Sequence, residues 1–389
     1  MPQPVLAAVG SSPVGQTDLP GRDLFSLAIA EAFDGLPDPA SLADAVYVGN
    51  QSETYEHQIM QGTLLAEWAG LRNVPAERVE GCAAAGALAL RHAVKDVRNG
   101  EHEGVLACGV EKMTAGGTGG ATDALSAAFD RAIEQRSGVT APSQYALLAQ
   151  RYLHETDATE EDLARIAVKN HRNAAANPRA QFSEPIDLEA AIESPPVAPP
   201  LKLYDCAPVG DGAAVVLVTT EERAAELDAP SVAIGGTGAA ANNIAVAERD
   251  MTDIAGARIA AETAYEEAGV TPDDVDIAEL HDAFTVSEAL LAEAVGFAPK
   301  GTGYQSYRPP SERADGWTDV SLSTSGGLKA RGHPIGATGL LQAIEAYEQL
   351  TGQAPNRGPT TPETALLLNE GGVADAVTVA HVLTAGGGR

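Results

Sequence analysis

Val79-Glu80-Gly81-Cys82-Ala83-Ala84-Ala85-Gly86-Ala87-Leu88-Ala89-Leu90 sets a single cysteine at the mouth of an alanine-rich helix. Helix formers continue through Val97, and Asn99-Gly100 supplies a stop. The spacing predicts Cys82 in a first helical turn, where unpaired N–H groups point outward and the macrodipole is positive. That position favours the thiolate, the nucleophilic form of cysteine. Gly81 and the small residues after it let a substrate or a second backbone come close. A small buried cysteine packing a core helix is the competing reading of this stretch alone. The rest of the chain decides between them.

Outward from the cysteine, apolar runs alternate with helical ones. Strands are expected at Val5–Val9, Ala45–Asn50 and Val105–Val110, and helices at Leu24–Phe33 and Ile59–Ala69. This alternation implies an α/β sandwich with a mostly parallel sheet. Gly116-Gly117-Thr118-Gly119-Gly120 reads as a flexible break. Ala141–Thr156, Glu160–Ala175 and Leu188–Ile192 are helical and polar, and Pro195–Pro200 is a rigid extended exit. We expect a helical excursion at about 116–204, inserted into a first half spanning 1–230, with the sheet resuming at Ala213–Val218. The second half, 231–389, repeats the outline. It runs through strands at Val232–Gly238 and Ile277–Leu280, then His281-Asp282-Ala283-Phe284 and a glycine-rich turn holding His333. A helix through Leu350 and strands at Ala365–Gly371 and Ala376–Leu383 follow. Duplication would set two helix N-termini side by side, so that Cys82 and His333 face each other across a pseudo-two-fold axis.

The 389 residues include 25 basic and 54 acidic side chains, a net charge of −29. Only six lysines occur, at 95, 112, 169, 202, 300 and 329. The acids are spread through helices, which argues against nucleic-acid or anionic-membrane binding, since both need basic footprints. The pattern matches surfaces adapted to high salt. Three widely spaced cysteines argue for a reducing compartment, and no Cys or His spacing reads as a metal site. No apolar run reaches membrane-spanning length, and the first residues read as a strand rather than a signal peptide. A cytoplasmic location is expected.

Nucleophilic cysteine chemistry needs a base and oxyanion donors. His333 is the best base, in Gly332-His333-Pro334-Ile335-Gly336-Ala337-Thr338-Gly339, with Pro334 at the first helical position. His281 ends a buried strand, a common place for functional residues in α/β folds. A core histidine bonded to a backbone carbonyl is the alternative there.

These residues, in this order over essentially the whole chain, resemble the thiolase superfamily. Ala167-Val168-Lys169-Asn170-His171 and Tyr204-Asp205-Cys206-Ala207-Pro208-Val209-Gly210-Asp211-Gly212 are most similar to the archaeal and sterol-carrier-protein-type thiolases. The resemblance implies a five-layered αβαβα fold, a helical loop domain binding coenzyme A, and a homodimer or dimer of dimers. It implies an acyl-CoA C-acyltransferase that forms or cleaves 3-oxoacyl-CoA such as acetoacetyl-CoA, with no tightly bound cofactor. Cys82 would carry the acyl thioester and His333 would activate it. His281 would help hold the thioester oxygen, and the N–H groups of Cys82 and Gly371 would form a second oxyanion hole. Ser325, Lys329, Arg331 and Lys202 are candidate contacts to coenzyme A. Two departures stand out: Asn369 and Ala283 occupy positions where relatives carry a second cysteine. The carbon-proton base is then His281, His333 or Cys206. Two alternatives remain, a thiolase-fold subunit active only with a small OB-fold partner, and a Cys-His-His condensing enzyme.

Overall fold

The computed structural model describes residues 1–354 and 357–386. Ten strands build one sheet: β1 (Pro4–Ser11), β2 (Ala45–Gly49), β3 (Ala76–Val79), β4 (Gly104–Lys112), β5 (Asp211–Thr220), β6 (Val232–Ala241), β7 (Ile277–Glu279), β8 (Ser321–Leu322), β9 (Thr364–Gly371) and β10 (Val377–Ala385). The helices used below are α1 (Gly21–Ala32), α2 (Gln61–Trp68), α3 (Ala85–Asn99), α4 (Ala141–Glu155), α5 (Glu160–Ala174), α6 (Ala255–Ala268), α7 (Thr285–Ala294), α8 (Gly327–Arg331) and α9 (Thr338–Leu350).

The strand order is β8-β7-β9-β10-β6-β1-β5-β4-β2-β3. It divides into β1-β5-β4-β2-β3 and its counterpart β6-β10-β9-β7-β8, joined where Val5 and Leu6 pair with Ala233 and Val232. The sheet is mixed, not mostly parallel. In each half the two inner pairings are antiparallel and the two outer ones parallel. The reason is where the chain turns back. Lys112 at the end of β4 pairs with Asp211 at the start of β5, so the chain leaves and re-enters at the same end of the sheet. Gly371 and Val377 do the same for β9 and β10.

Alternate residues of a strand face opposite sides, and this sorts the apolar side chains into three cores. Leu106, Cys108, Val215 and Leu217 pack with α1 and α2. Val105, Ala107, Val216 and Val218, with Ala365, Leu367 and Leu383 of the other half, enclose α3 and α9. Leu366, Leu368, Ala380 and Val382 pack against α6 and α7. Helix, sheet, paired helices, sheet, helix makes five layers. The central pair touches through glycine: a Cβ on Gly86 would lie 2.6 Å from the Gly336 carbonyl oxygen, and one on Gly339 2.6 Å from the Ala87 nitrogen.

Residues 113–210 leave the sheet between β4 and β5 and carry α4, α5 and a short hairpin of Pro196–Ala198 with Leu201–Lys202. The expected flexible break is helical instead. Gly117–Ser126 forms a helix because Ala121 and Ala124 are buried with Met113, Tyr55 and Ile335, and that burial outweighs the poor propensity of glycine. Asp211 anchors the root of the excursion, accepting from Lys112 Nζ at 2.6 Å, Thr114 Oγ1 at 2.6 Å and the Thr114 N–H at 2.8 Å. Among the described residues no helix is long and apolar enough to cross a membrane.

Candidate active site

Cys82 follows β3 by two residues and opens a one-turn segment, Cys82–Ala84, that runs into α3. Its own φ is +50°, a left-handed conformation costing an L-residue about 1–2 kcal/mol. The backbone N–H groups of Gly372 and Ala83 favour the charged form of Cys82. Burial nevertheless dominates and pushes the thiol up to about 11, so the resting form is the thiol rather than the expected thiolate. The Cys82 N–H donates to Glu80 Oε1 at 2.7 Å. Gly371 is pressed so closely onto Gly81 that a Cβ there would lie 2.0 Å from the Gly81 carbonyl oxygen. A cleft of ≈490 Å³, walled by Glu80, Gly81, Gly371 and Gly372, opens on Cys82.

The second half delivers the histidines. Gly332 takes φ +108°, His333 follows, and the turn Ile335–Ala337 leads into α9. Cys82 packs against the apolar cluster that contains Ile335, which brings the two helix mouths together. His333 Nδ1 lies 2.7 Å from Thr338 Oγ1, whose own hydroxyl donates to the Pro334 carbonyl at 3.0 Å. With that hydroxyl proton committed, Nδ1 is the N–H donor and Nε2 keeps its lone pair. His281 stands edge-on to His333, ring centroids 5.1 Å apart. Its Nδ1 faces the Asn369 amide nitrogen at 3.4 Å, and that amide also donates to Gln342 Oε1 at 2.6 Å. A donor at Nδ1 leaves the His281 proton on Nε2. Burial and the Arg331 charge hold both rings neutral, His281 down to about 3 and His333 well below the usual range. The pair therefore offers one lone pair and one N–H.

Glu111 ties the halves together beneath this pair. Its Oε2 accepts from the N–H groups of Gln51 at 2.7 Å and Gly336 at 3.0 Å, and its Oε1 accepts from Asn50 Nδ2 at 2.8 Å. Burial pushes its carboxyl up to about 8 against those donors. Asp282 does the same for the excursion: it accepts from Asn170 Nδ2 and from the Leu328 N–H, each at 2.7 Å, and so joins α5 to α8.

The four candidate coenzyme A contacts do not gather in one place. Lys329 is buried, donates to the Cys206 carbonyl and lines a cleft of ≈630 Å³ with His171, Tyr204 and Cys206. Arg331 is 2 % exposed, sealed behind the histidines near Glu279 and Glu345, and lines neither this cleft nor that of Cys82. Ser325 is 0 % exposed and donates to Glu279 Oε2 at 2.5 Å. Lys202 donates to the Ile192 carbonyl at 2.8 Å within the excursion. Cys206 lines the Lys329 cleft, not the Cys82 cleft, and burial pushes its thiol up to about 12. Glu111, Thr338, Gln342 and Gly372 escaped the sequence reading. Of these, Glu111 had a signal, a lone acid ending the apolar run Val105–Val110.

Comparison with known proteins agrees with this architecture. The profile described as "Thiolase, N-terminal domain" matches residues 5–222, and "Thiolase C-terminal domain-like" matches 236–384. An "Acetyl-CoA acetyltransferase" of Methanothermobacter thermautotrophicus is 40% identical over 94% of this chain and 95% of its own length. "Benzoylsuccinyl-CoA thiolase subunit BbsB" of Thauera aromatica is 35% identical over 97% and 96%. The solved "Ltp2-ChsH2(DUF35) aldolase" superposes with a TM-score of 0.81 at 23% identity, covering 98% of each chain. The chain belongs to the thiolase family, and its activity is that of a thiolase-type acyltransferase.

Proposed function

We propose that the chain takes the acyl group of an acyl-CoA onto Cys82 Sγ and exchanges it with a second acyl-CoA, with acetyl-CoA and acetoacetyl-CoA as substrates. The relative named acetyl-CoA acetyltransferase supports that choice. The observation that carries the reading is the complementary pair of neutral imidazoles leading into the helix mouth whose Ile335 packs in one cluster with Cys82. As Sγ attacks the thioester carbonyl, His333 Nε2 accepts the thiol proton and passes it to the departing coenzyme A sulfur. His281 Nε2–H donates to the carbonyl oxygen where negative charge develops. In the second step a histidine removes the α-proton of the incoming acyl-CoA. The resulting carbanion attacks the Cys82 thioester, and Cys82 leaves as thiolate and is reprotonated. Asn369 orients His281 where a second cysteine would otherwise stand.

Lys329 is the proposed contact to the coenzyme A phosphates, since it is a buried cation lining the cleft between the excursion and α8. A homo-oligomer and a partner protein are proposed too. The relative named as a thiolase subunit and the solved assembly of Ltp2 with ChsH2 support the partner. The diffuse net charge of −29 supports a salt-adapted, archaeal-type organism, and the three widely spaced cysteines support a reducing, cytoplasmic setting. The test is intact-mass analysis after incubation with acetyl-CoA at molar KCl, alone and with co-purifying proteins. An acetyl adduct on Cys82 is expected, and its absence under both conditions overturns the proposal.

A further inference from the structure

Cations are scarce in this chain, 25 against 54 acids, so their clustering carries information. One cluster lies outside both clefts described above. A cavity of ≈620 Å³ sits between α5, the segment 306–313 and residues 357–359. Lys169 and Arg357 line it but are neutralised, by Glu288 and by Glu345 with Glu348. Arg172, Arg308 and Arg313 line it as well, and none of the three forms an ion pair with a carboxylate among the described residues.

Neutral groups position two of these guanidiniums. Arg308 lies over the rings of Tyr304 and Tyr307, 5.9 and 5.6 Å from their centroids, with Nε donating to the Tyr307 hydroxyl at 3.3 Å. Arg313 donates to the carbonyl oxygens of Arg308 and Val320 at 3.0 and 3.2 Å and lies 4.8 Å from the Trp317 ring centroid. Aromatic faces and carbonyls hold an arginine in place without a direct carboxylate contact, and the carboxylates that act on these two, Asp162 on Arg308 and Glu288 with Asp319 on Arg313, make no ion pair with them. Elsewhere this acidic chain commonly meets its arginines with carboxylates, as at Arg78, Arg98, Arg165, Arg179 and Arg249.

We propose that this cavity binds an oligophosphate, the di- or polyphosphate group of a small molecule. Three guanidiniums without an ion-paired carboxylate call for several negative charges in one ligand. The planar guanidinium fork matches phosphate oxygens in pairs. A chloride ion would leave most of the volume unfilled. An acidic macromolecule would be opposed by the chain's own net charge of −29. The site is separate from the acyl-transfer centre. No residue lines both this cavity and the Cys82 or Lys329 cleft, and on α5 His171 faces the Lys329 cleft while Lys169 and Arg172 face this one.

The probe is inorganic pyrophosphate, titrated by calorimetry into the full chain at constant molar KCl. Saturable binding is expected. It should weaken at least about tenfold in Arg172→Ala/Arg308→Gln, the loss of two charge-assisted contacts. Arg172→Ala alone, an exposed position that leaves the fold intact, should weaken it by a smaller factor. Acetylation of Cys82 by acetyl-CoA should proceed at an unchanged rate with saturating pyrophosphate present. Three results would overturn the proposal: no saturable binding to the wild type, binding that the double variant keeps within twofold, or competition between pyrophosphate and acetyl-CoA. The last would place the anion in the substrate cleft.

Discussion

The two halves of the molecule share strand order and pairing, and differ at two joints. Between β4 and β5 the first half carries residues 113–210, whereas between β9 and β10 the second half spends only residues 372–376. Between the outer strand and the central helix the asymmetry reverses. Two residues link β3 to the Cys82 turn, but the link from β8 to the Ile335–Ala337 turn contains α8, Gly332 and His333. One half carries a long cover at one end of the sheet, and the other carries the support for His333, the proposed base. Backbone strain is divided the same way. In the first half Cys82 itself takes positive φ; in the second the glycine before His333 takes it, and the histidine is free to pack. The two helix mouths occupy equivalent places, and unequal insertion sets Cys82, the proposed nucleophile, at one and His333, the proposed base, at the other.

That division of labour is broken most directly at its two reactive atoms. Cys82→Ser should lower acetyl-CoA turnover by at least about 10³-fold and abolish the adduct seen by intact mass. His333→Ala should slow single-turnover acetylation by about 10²–10⁴-fold, the usual worth of a positioned base. His281→Ala should slow acetylation too, but by less than His333→Ala, because His281 offers the thioester oxygen an N–H and does not take the thiol proton. Equal losses in both steps for both histidine variants would mean that the rings act as a unit.

Much of this was legible in the sequence, for a physical reason. Strand and helix periods were strong, and glycine marks the points where backbones touch. The Cys82 helix, its stop at Gly100, and the core position of Cys108 therefore follow from local pattern. Charge was less legible. Lys329 and Arg331 sit two residues apart on α8, one facing a cleft and the other sealed behind the histidines, and only the rotation of a five-residue helix decides which. The thiolate expectation failed because it counted N–H donors and left out desolvation, which here is larger. Glu111 could be noticed but not assigned, since its partners come from β2 and from Gly336, 225 residues away.

Glu111 is where the halves can be uncoupled without touching a reacting atom. The contacts of both its oxygens are donors, so Glu111→Gln turns an amide N–H toward another donor. The cost should be about 2–4 kcal/mol, read as a lower denaturation midpoint in molar KCl. The Cys82 thiol offers a milder test. Its alkylation by iodoacetamide should keep rising with pH until about 11, beyond the range where an exposed thiol levels off. The folded-state value is raised, so the contribution of Cys82 is full below the unfolded pKa and is lost as pH rises through about 11. Cys82→Ala should remove that alkaline loss.

The smallest effect isolates the strain assigned to the nucleophile. At φ +50° a glycine is relaxed and an alanine is not. Cys82→Gly and Cys82→Ala both delete the sulfur and both should be inactive, so chemistry drops out of their comparison. Glycine gains about 1 kcal/mol from the left-handed backbone, partly offset by the entropy it adds to the unfolded chain. Cys82→Gly should therefore equal or exceed Cys82→Ala in stability, the reverse of their order in a helix interior. The same exchange at Ala83, whose φ lies outside the positive set, should favour alanine. If alanine wins at both positions, Cys82 is unstrained and the difference between the two helix mouths is one of sequence alone.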